Sequence, residues 1–95
     1  MILEFNGELT YWRGPSPFHF IIVPDDESAL LHEASSLVTY GWGMIPVAAR
    51  IANTEWTTSL FAKDGGYVVP VKQWVRQAEG LALGDTVAVR LSLSI

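Results

Sequence analysis

Along residues 2–12 apolar and polar positions alternate. Leu3, Phe5, Leu9 and Tyr11 share one parity, and Glu4, Asn6, Glu8 and Thr10 share the other. This predicts a half-buried strand, with Gly7 marking a bulge. Arg13-Gly14-Pro15-Ser16-Pro17 reads as a turn by composition. Phe18 to Val23 is apolar at almost every position, which predicts a strand covered on both faces. Pro24 ends it, and Asp25, Asp26 and Glu27 then fill a helix first turn, where amide dipoles favour negative charge. Leu30, Ala34 and Leu37 form the inward stripe expected of that helix, with Leu31 and Val38 beside it. Tyr40-Gly41-Trp42-Gly43 closes it.

The first half closes with one more strand, and the signals then repeat. Ile45, Val47, Ala49 and Ile51 share the inward parity of a third strand, in which Pro46 belongs on an edge or at a bulge. Glu55 to Phe61 reads as a fourth strand, rich in Thr and aromatics. Lys63-Asp64-Gly65-Gly66 reads as a hairpin turn that tolerates positive φ, and Tyr67 to Val69 as a fifth strand. Val71, Trp74, Val75 and Ala78 sit at the i, i+3, i+4, i+7 spacing of a second helix, with Gly80 at its left-handed end and Leu81 as apolar companion. The last strand alternates Val87, Val89, Leu91 and Leu93 against Ala88, Arg90, Ser92 and Ser94.

The order is β-β-α-β twice, as pseudo-repeats 2–52 and 55–95 of a single domain, 1–95. Strand-Pro-helix-Gly-strand recurs, and each copy ends in Val-Ala-x-Arg, at Val47–Arg50 and Val87–Arg90. Two such units close naturally into a mainly β, six-stranded split barrel with a pseudo-twofold axis, because closure removes the exposed strand edges. Each helix is expected to plug one end. On that reading Trp74→Ala costs roughly 3–5 kcal/mol.

Composition narrows the function classes. The 95 residues are 49% hydrophobic and 17% charged, enough apolar material for one small core. No apolar run approaches a membrane-spanning length, and the N-terminus lacks the basic region of a signal peptide, so the expected location is the cytoplasm. The absence of cysteine fits a reducing compartment and excludes disulfides and thiolate chemistry. A net charge of −4 disfavours a broad nucleic-acid surface.

Candidate chemistry is sparse. Lys72 and Arg76 stand at i, i+4, where like charges repel. They make an anion or carboxylate site together with Arg50, or else a solvated face with Arg76 paired to Glu79. Arg50 and Arg90 occupy matching places in the two halves and pair with Glu4, Glu8 or Glu55 across strands, or serve a ligand. Trp42, Thr58, Ser59 and Tyr67 combine aromatic rings with hydroxyls, as ligand pockets do, and as core and loop anchors also do. His19 and His32 lack a second ligand at helical spacing, so no metal or other cofactor is expected. No phosphate-binding glycine loop or nucleophile motif is present.

Two resemblances rest on motifs. Gly66-Tyr67-Val68-Val69-Pro70-Val71-Lys72, followed by Arg76, Gly80-Leu81 and Gly84-Asp85-Thr86-Val87, resembles the strand-Pro-helix-Gly-Asp-strand unit of swapped-hairpin barrels of the AbrB and MazE types. The whole chain more closely resembles the bacterial family known only as domain of unknown function 1905. The carrying motifs are Phe5-x-Gly7-x-Leu9, Val23-Pro24, Gly43-x-x-Pro46-Val47, Thr58-Ser59-Leu60-Phe61, Pro70-Val71-Lys72-x-x-Val75-Arg76 and Gly84-Asp85-x-Val87. The resemblance implies a small split β-barrel, like a single-chain version of the AbrB dimer, and no activity. Its members are often fused to a bacteriocin-protection (YdeI/OmpD-associated) domain, which this sequence does not include. The expectation is a non-enzymatic binding module, monomeric or homodimeric, for a small anion or a protein partner. The alternative is an AbrB-like DNA-binding protein, and an enzyme comes third.

Overall fold

The computed structural model describes residues 1–15, 17–38 and 44–94. The expected closing turn of the first helix at Tyr40–Gly43, and Trp42 with it, lies outside the described residues. Six strands and two helices follow in order: β1 (Ile2–Trp12), β2 (Phe18–Ile22), α1 (Asp25–Val38), β3 (Ile45–Ile51), β4 (Thr54–Lys63), β5 (Gly66–Pro70), α2 (Gln73–Glu79) and β6 (Thr86–Ser92). The strands close a barrel in the order β1-β2-β5-β4-β3-β6, and every pairing is antiparallel. The fold is therefore the mainly β, closed six-stranded barrel with two helices that the sequence predicts.

The alternating strands carry the core inward. Leu3, Phe5 and Leu9 of β1, Ile45, Val47, Ala49 and Ile51 of β3, and Val89 and Leu91 of β6 are all buried. Burying this much apolar surface, at about 25 cal/mol per Å², is the main source of stability. Asp64 (φ 50°) and Gly65 (φ 80°) both take positive φ, which gives the tight hairpin expected between β4 and β5. Gly80 ends α2 in the left-handed region at φ 62°, its N–H reaching the Arg76 and Gln77 carbonyls. Pro46 sits where β3 pairs with β4 but not yet with β6, so its missing N–H breaks no ladder on that side.

Several expectations are corrected. Gly7 makes no bulge, because β1 and β6 pair without interruption from Ile2↔Ser92 to Glu8↔Thr86. A Cβ at position 7 would meet Ile21 Cγ2 at 2.4 Å and the Ile22 carbonyl at 2.7 Å, so Gly7 permits β2 to approach closely. In β2, Phe20 and Ile21 are buried but Ile22 is 47% exposed, so coverage on both faces is incomplete. Tyr11, on the inward parity of β1, emerges at the barrel end and is exposed.

Both helices are rotated from their predicted phase. In α1, Leu31 and Ala34 are buried and Leu30 faces solvent. The reason is Ser28, buried one turn earlier. Its hydroxyl donates to the Val23 carbonyl at 3.2 Å and accepts the Tyr67 N–H at 3.2 Å, which fixes the rotation of the helix. In α2, Val75 is buried beside Val71 just ahead of the helix, and Trp74 is 51% exposed. The buried indole belongs to Trp56 in β4, whose Nε1 donates to the Pro70 carbonyl at 3.1 Å.

Candidate functional site

The outside of the barrel has two unlike halves. On β6, β3 and the adjoining parts of β1 and β4, the outward positions include Ile2, Glu4, Asn6, Glu8, Ala48, Arg50, Glu55, Thr57, Ala88, Arg90 and Ser92, mostly exposed and mostly polar. On β2, β5 and the other ends of β1 and β4 the same parity carries Thr10, Trp12, Phe18, Phe20, Ile22, Phe61, Lys63, Val68 and Pro70, of which Phe20 and Val68 are themselves buried. A monomeric barrel surface is ordinarily solvated, so a clustered aromatic half is informative.

That aromatic half frames a cleft of about 670 Å³, lined by Trp12, Pro17, Phe18, Met44, Thr58, Ser59, Phe61 and Pro70. Phe18 is the hub. Its ring meets Trp12 edge-on at 5.7 Å, Phe61 edge-on at 5.9 Å and Phe20 at 5.3 Å. Such tilted and T-shaped contacts suit the ring quadrupoles and hold the walls in place. The turn after β1 positions Trp12, because a Cβ at Gly14 would meet its ring at 2.1 Å. Lys63 Nζ lies 5.6 Å from the Trp12 ring centre. Thr58 and Ser59 are the polar residues of an otherwise apolar lining.

The structure distributes the sequence-predicted site residues over several places. Thr58 and Ser59 line the cleft. Tyr67 is buried in the core cluster. Trp42 lies outside the described residues. Arg50 stands on the polar half, opposite Arg90. Lys72 precedes α2 without a capping side-chain bond, and Arg76 lies on the helix with its Nε enclosed and without a hydrogen-bond partner among the described residues. The expected Arg76–Glu79 pair does not form, since Glu79 Oε2 instead accepts the Thr54 hydroxyl at 2.5 Å. Near Arg76, the His19 ring packs at 4.7 Å from Tyr11. Burial, and then the Arg76 guanidinium, push the His19 imidazole below its usual range, because both penalise a positive ring. The Glu4–Arg90 pairing expected across strands is present at 4.0 Å between exposed side chains.

Sequence reasoning missed Trp12, Phe18 and Phe61 as cleft residues. A signal existed for two of them: Trp12 falls on the polar parity of β1, and Phe61 on the parity opposite buried Leu60. Among the described residues no group of His, Asp and Glu gathers to hold a metal ion, and no helix is long and apolar enough to cross a membrane.

Closed barrel, two helices and an external aromatic cleft define the class as a small mainly β barrel domain whose distinctive feature is on its surface. Within that class, the chain belongs to the family described as domain of unknown function (DUF1905), whose profile matches residues 5–91. That description assigns no activity. No curated protein matches the sequence.

Proposed function

We propose that this chain is a non-enzymatic binding module whose ligand site is the aromatic cleft, and that its ligand is an uncharged, ring-bearing small molecule. One observation carries this reading. A cleft of about 670 Å³ is walled by Trp12, Phe18, Phe61 and Met44, with Thr58 and Ser59 as the polar residues of its lining. That volume and that balance of apolar wall to polar anchor match ordinary small-molecule sites. DNA binding draws little support, because six Lys and Arg are outnumbered by ten Asp and Glu, and the adjacent Arg50 and Arg90 are flanked in register by Glu4 and Glu55.

Indole is a suitable probe, followed by amide chemical shifts in a ¹H–¹⁵N NMR titration. A dissociation constant near 1 mM corresponds to about 4 kcal/mol, roughly 0.5 kcal/mol per non-hydrogen atom of indole and within reach of an apolar cleft. Shifts confined to Trp12, Phe18 and Thr58–Phe61, lost in a folded Phe61→Asp variant, are expected. No saturable shift at millimolar indole, or shifts that survive Phe61→Asp, would refute the assignment. Self-association through the aromatic half, relieved by the same substitution, would point to a protein partner instead.

A further inference from the structure

On the polar half, strand register sets four charged residues in one transverse line. Glu4 of β1 faces Arg90 of β6, Arg90 faces Arg50 of β3, and Arg50 faces Glu55 of β4. The line reads minus, plus, plus, minus. Its two ends match in charge, but its centre opposes two arginines, an arrangement that destabilises a sheet. The flanking carboxylates do little to neutralise them. Arg90 Nε reaches Glu4 Oε1 only at 4.0 Å, Arg50 Nε is spent on the neutral Ala52 carbonyl at 2.9 Å, and among the described residues no ion pair joins Arg50 to Glu55.

The arginines stand between two depressions and line both. One, of about 400 Å³, continues to Glu4, Asn6 and Ala52, and the other, of about 280 Å³, to Ile2 and Ser92. The small outward residues Ala48 and Ala88 leave room beside the guanidinium groups.

We propose that Arg50 and Arg90 together hold one tetrahedral dianion, a phosphate that is either free or the terminal group of a phosphate monoester. Two adjacent forks of N–H donors match three acceptor oxygens and two negative charges, which a single carboxylate cannot supply. Glu4 and Glu55 at the ends of the line repel a run of phosphates, so the site selects a single small dianion over a nucleic-acid backbone. This site lies on the half of the barrel that does not carry the aromatic cleft, and either can fail without the other.

The test is ³¹P NMR and thermal denaturation at low ionic strength and pH 8, with inorganic phosphate, glycerol phosphate, and sodium chloride at matched ionic strength. Phosphate is expected to raise the melting temperature and chloride not to. Arg50→Gln is expected to weaken phosphate about tenfold or more, the loss of one charge-assisted contact, while leaving the anion-free protein at least as stable as the wild type. Glu55→Gln is expected to tighten phosphate, which a merely structural glutamate would not do. Tighter binding of glycerol phosphate identifies the ligand as a monoester, and equal or weaker binding identifies the free ion. A chloride effect equal to that of phosphate, or an affinity unchanged by both Arg50→Gln and Glu55→Gln, overturns the proposal.

Discussion

Removing the Ser28 hydroxyl tests the account of how α1 is fastened to the barrel. In the wild type this buried oxygen accepts the Tyr67 N–H and donates to the Val23 carbonyl, both at 3.2 Å. Ser28 is only 6% exposed, so water cannot replace the hydroxyl in Ser28→Ala. An unpaired buried N–H costs about 1–3 kcal/mol, and the better helix propensity of Ala returns a few tenths. The net loss is about 1.5 kcal/mol, which for a domain of this size lowers the melting temperature by roughly 6–12 °C. Gly66 sharpens the test. A Cβ there would sit 3.2 Å from Ser28 Oγ but 3.8 Å from Ser28 Cβ. Gly66→Ala therefore presses on the hydroxyl in the wild type and meets only ordinary contact in Ser28→Ala. Urea denaturation of the four proteins, with equal slopes, gives the coupling. At least about 0.5 kcal/mol is expected, with Gly66→Ala less costly in the Ser28→Ala background. A Ser28→Ala protein within about 0.3 kcal/mol of wild type, or additive substitutions, would refute the reasoning.

Trp56→Ala is expected to cost roughly 3–5 kcal/mol and Trp74→Ala less than half as much, because Trp56 is 3% exposed and Trp74 51%; chemical denaturation that reversed this order would contradict the assignment of the core. Gly7→Ala is expected to cost more than ~2 kcal/mol, since the added methyl overlaps the Ile22 carbonyl as well as Ile21, and a protein that melts like the wild type would show that β2 shifts freely. His19 has its folded pKa lowered, so its contribution to stability is present above the usual histidine value and is lost as pH falls through the folded one. Melting temperature is therefore expected to drop on acidification below neutrality, before the carboxylates titrate. His19→Gln should flatten that part of the profile, and an NMR titration showing a raised pKa would reverse the sign.

The barrel was legible because strands report burial by parity. The inward sets of β1, β3 and β6 were readable residue by residue. The helices were less so, because each buries only a narrow stripe, where a rotation of one residue still leaves an apolar side chain facing in. Leu30 and Leu31 are adjacent in sequence and equally apolar, and only the buried Ser28 hydroxyl decides between them. Trp74 matched helical spacing, but α2 is 7 residues long and the Val71–Val75 pair fills its contact, while the interior already holds Trp56. The candidate sites suffered differently. Thr58 and Ser59 were recognisable as hydroxyls on one strand, but the aromatic walls come from β1, β2 and β4, which only the closed order assembles. Arg50 and Arg90 were visible as matching positions, whereas their direct opposition depends on the β3–β6 register.

The closed order also governs how the chain must acquire its structure. β3, β4 and β5 are joined by tight turns, so their ladders form between near neighbours in sequence. The β1–β6 ladder joins opposite ends of the chain, and the Met1 amine donates to the Leu93 carbonyl at 3.0 Å. Loop-closure entropy makes that seam a late event. Until it shuts, β1 and β6 expose unpaired edges that a neighbouring chain can occupy. Refolding yield is accordingly expected to fall as protein concentration rises, even though the finished barrel offers no edge to pair, and a yield independent of concentration would place closure early.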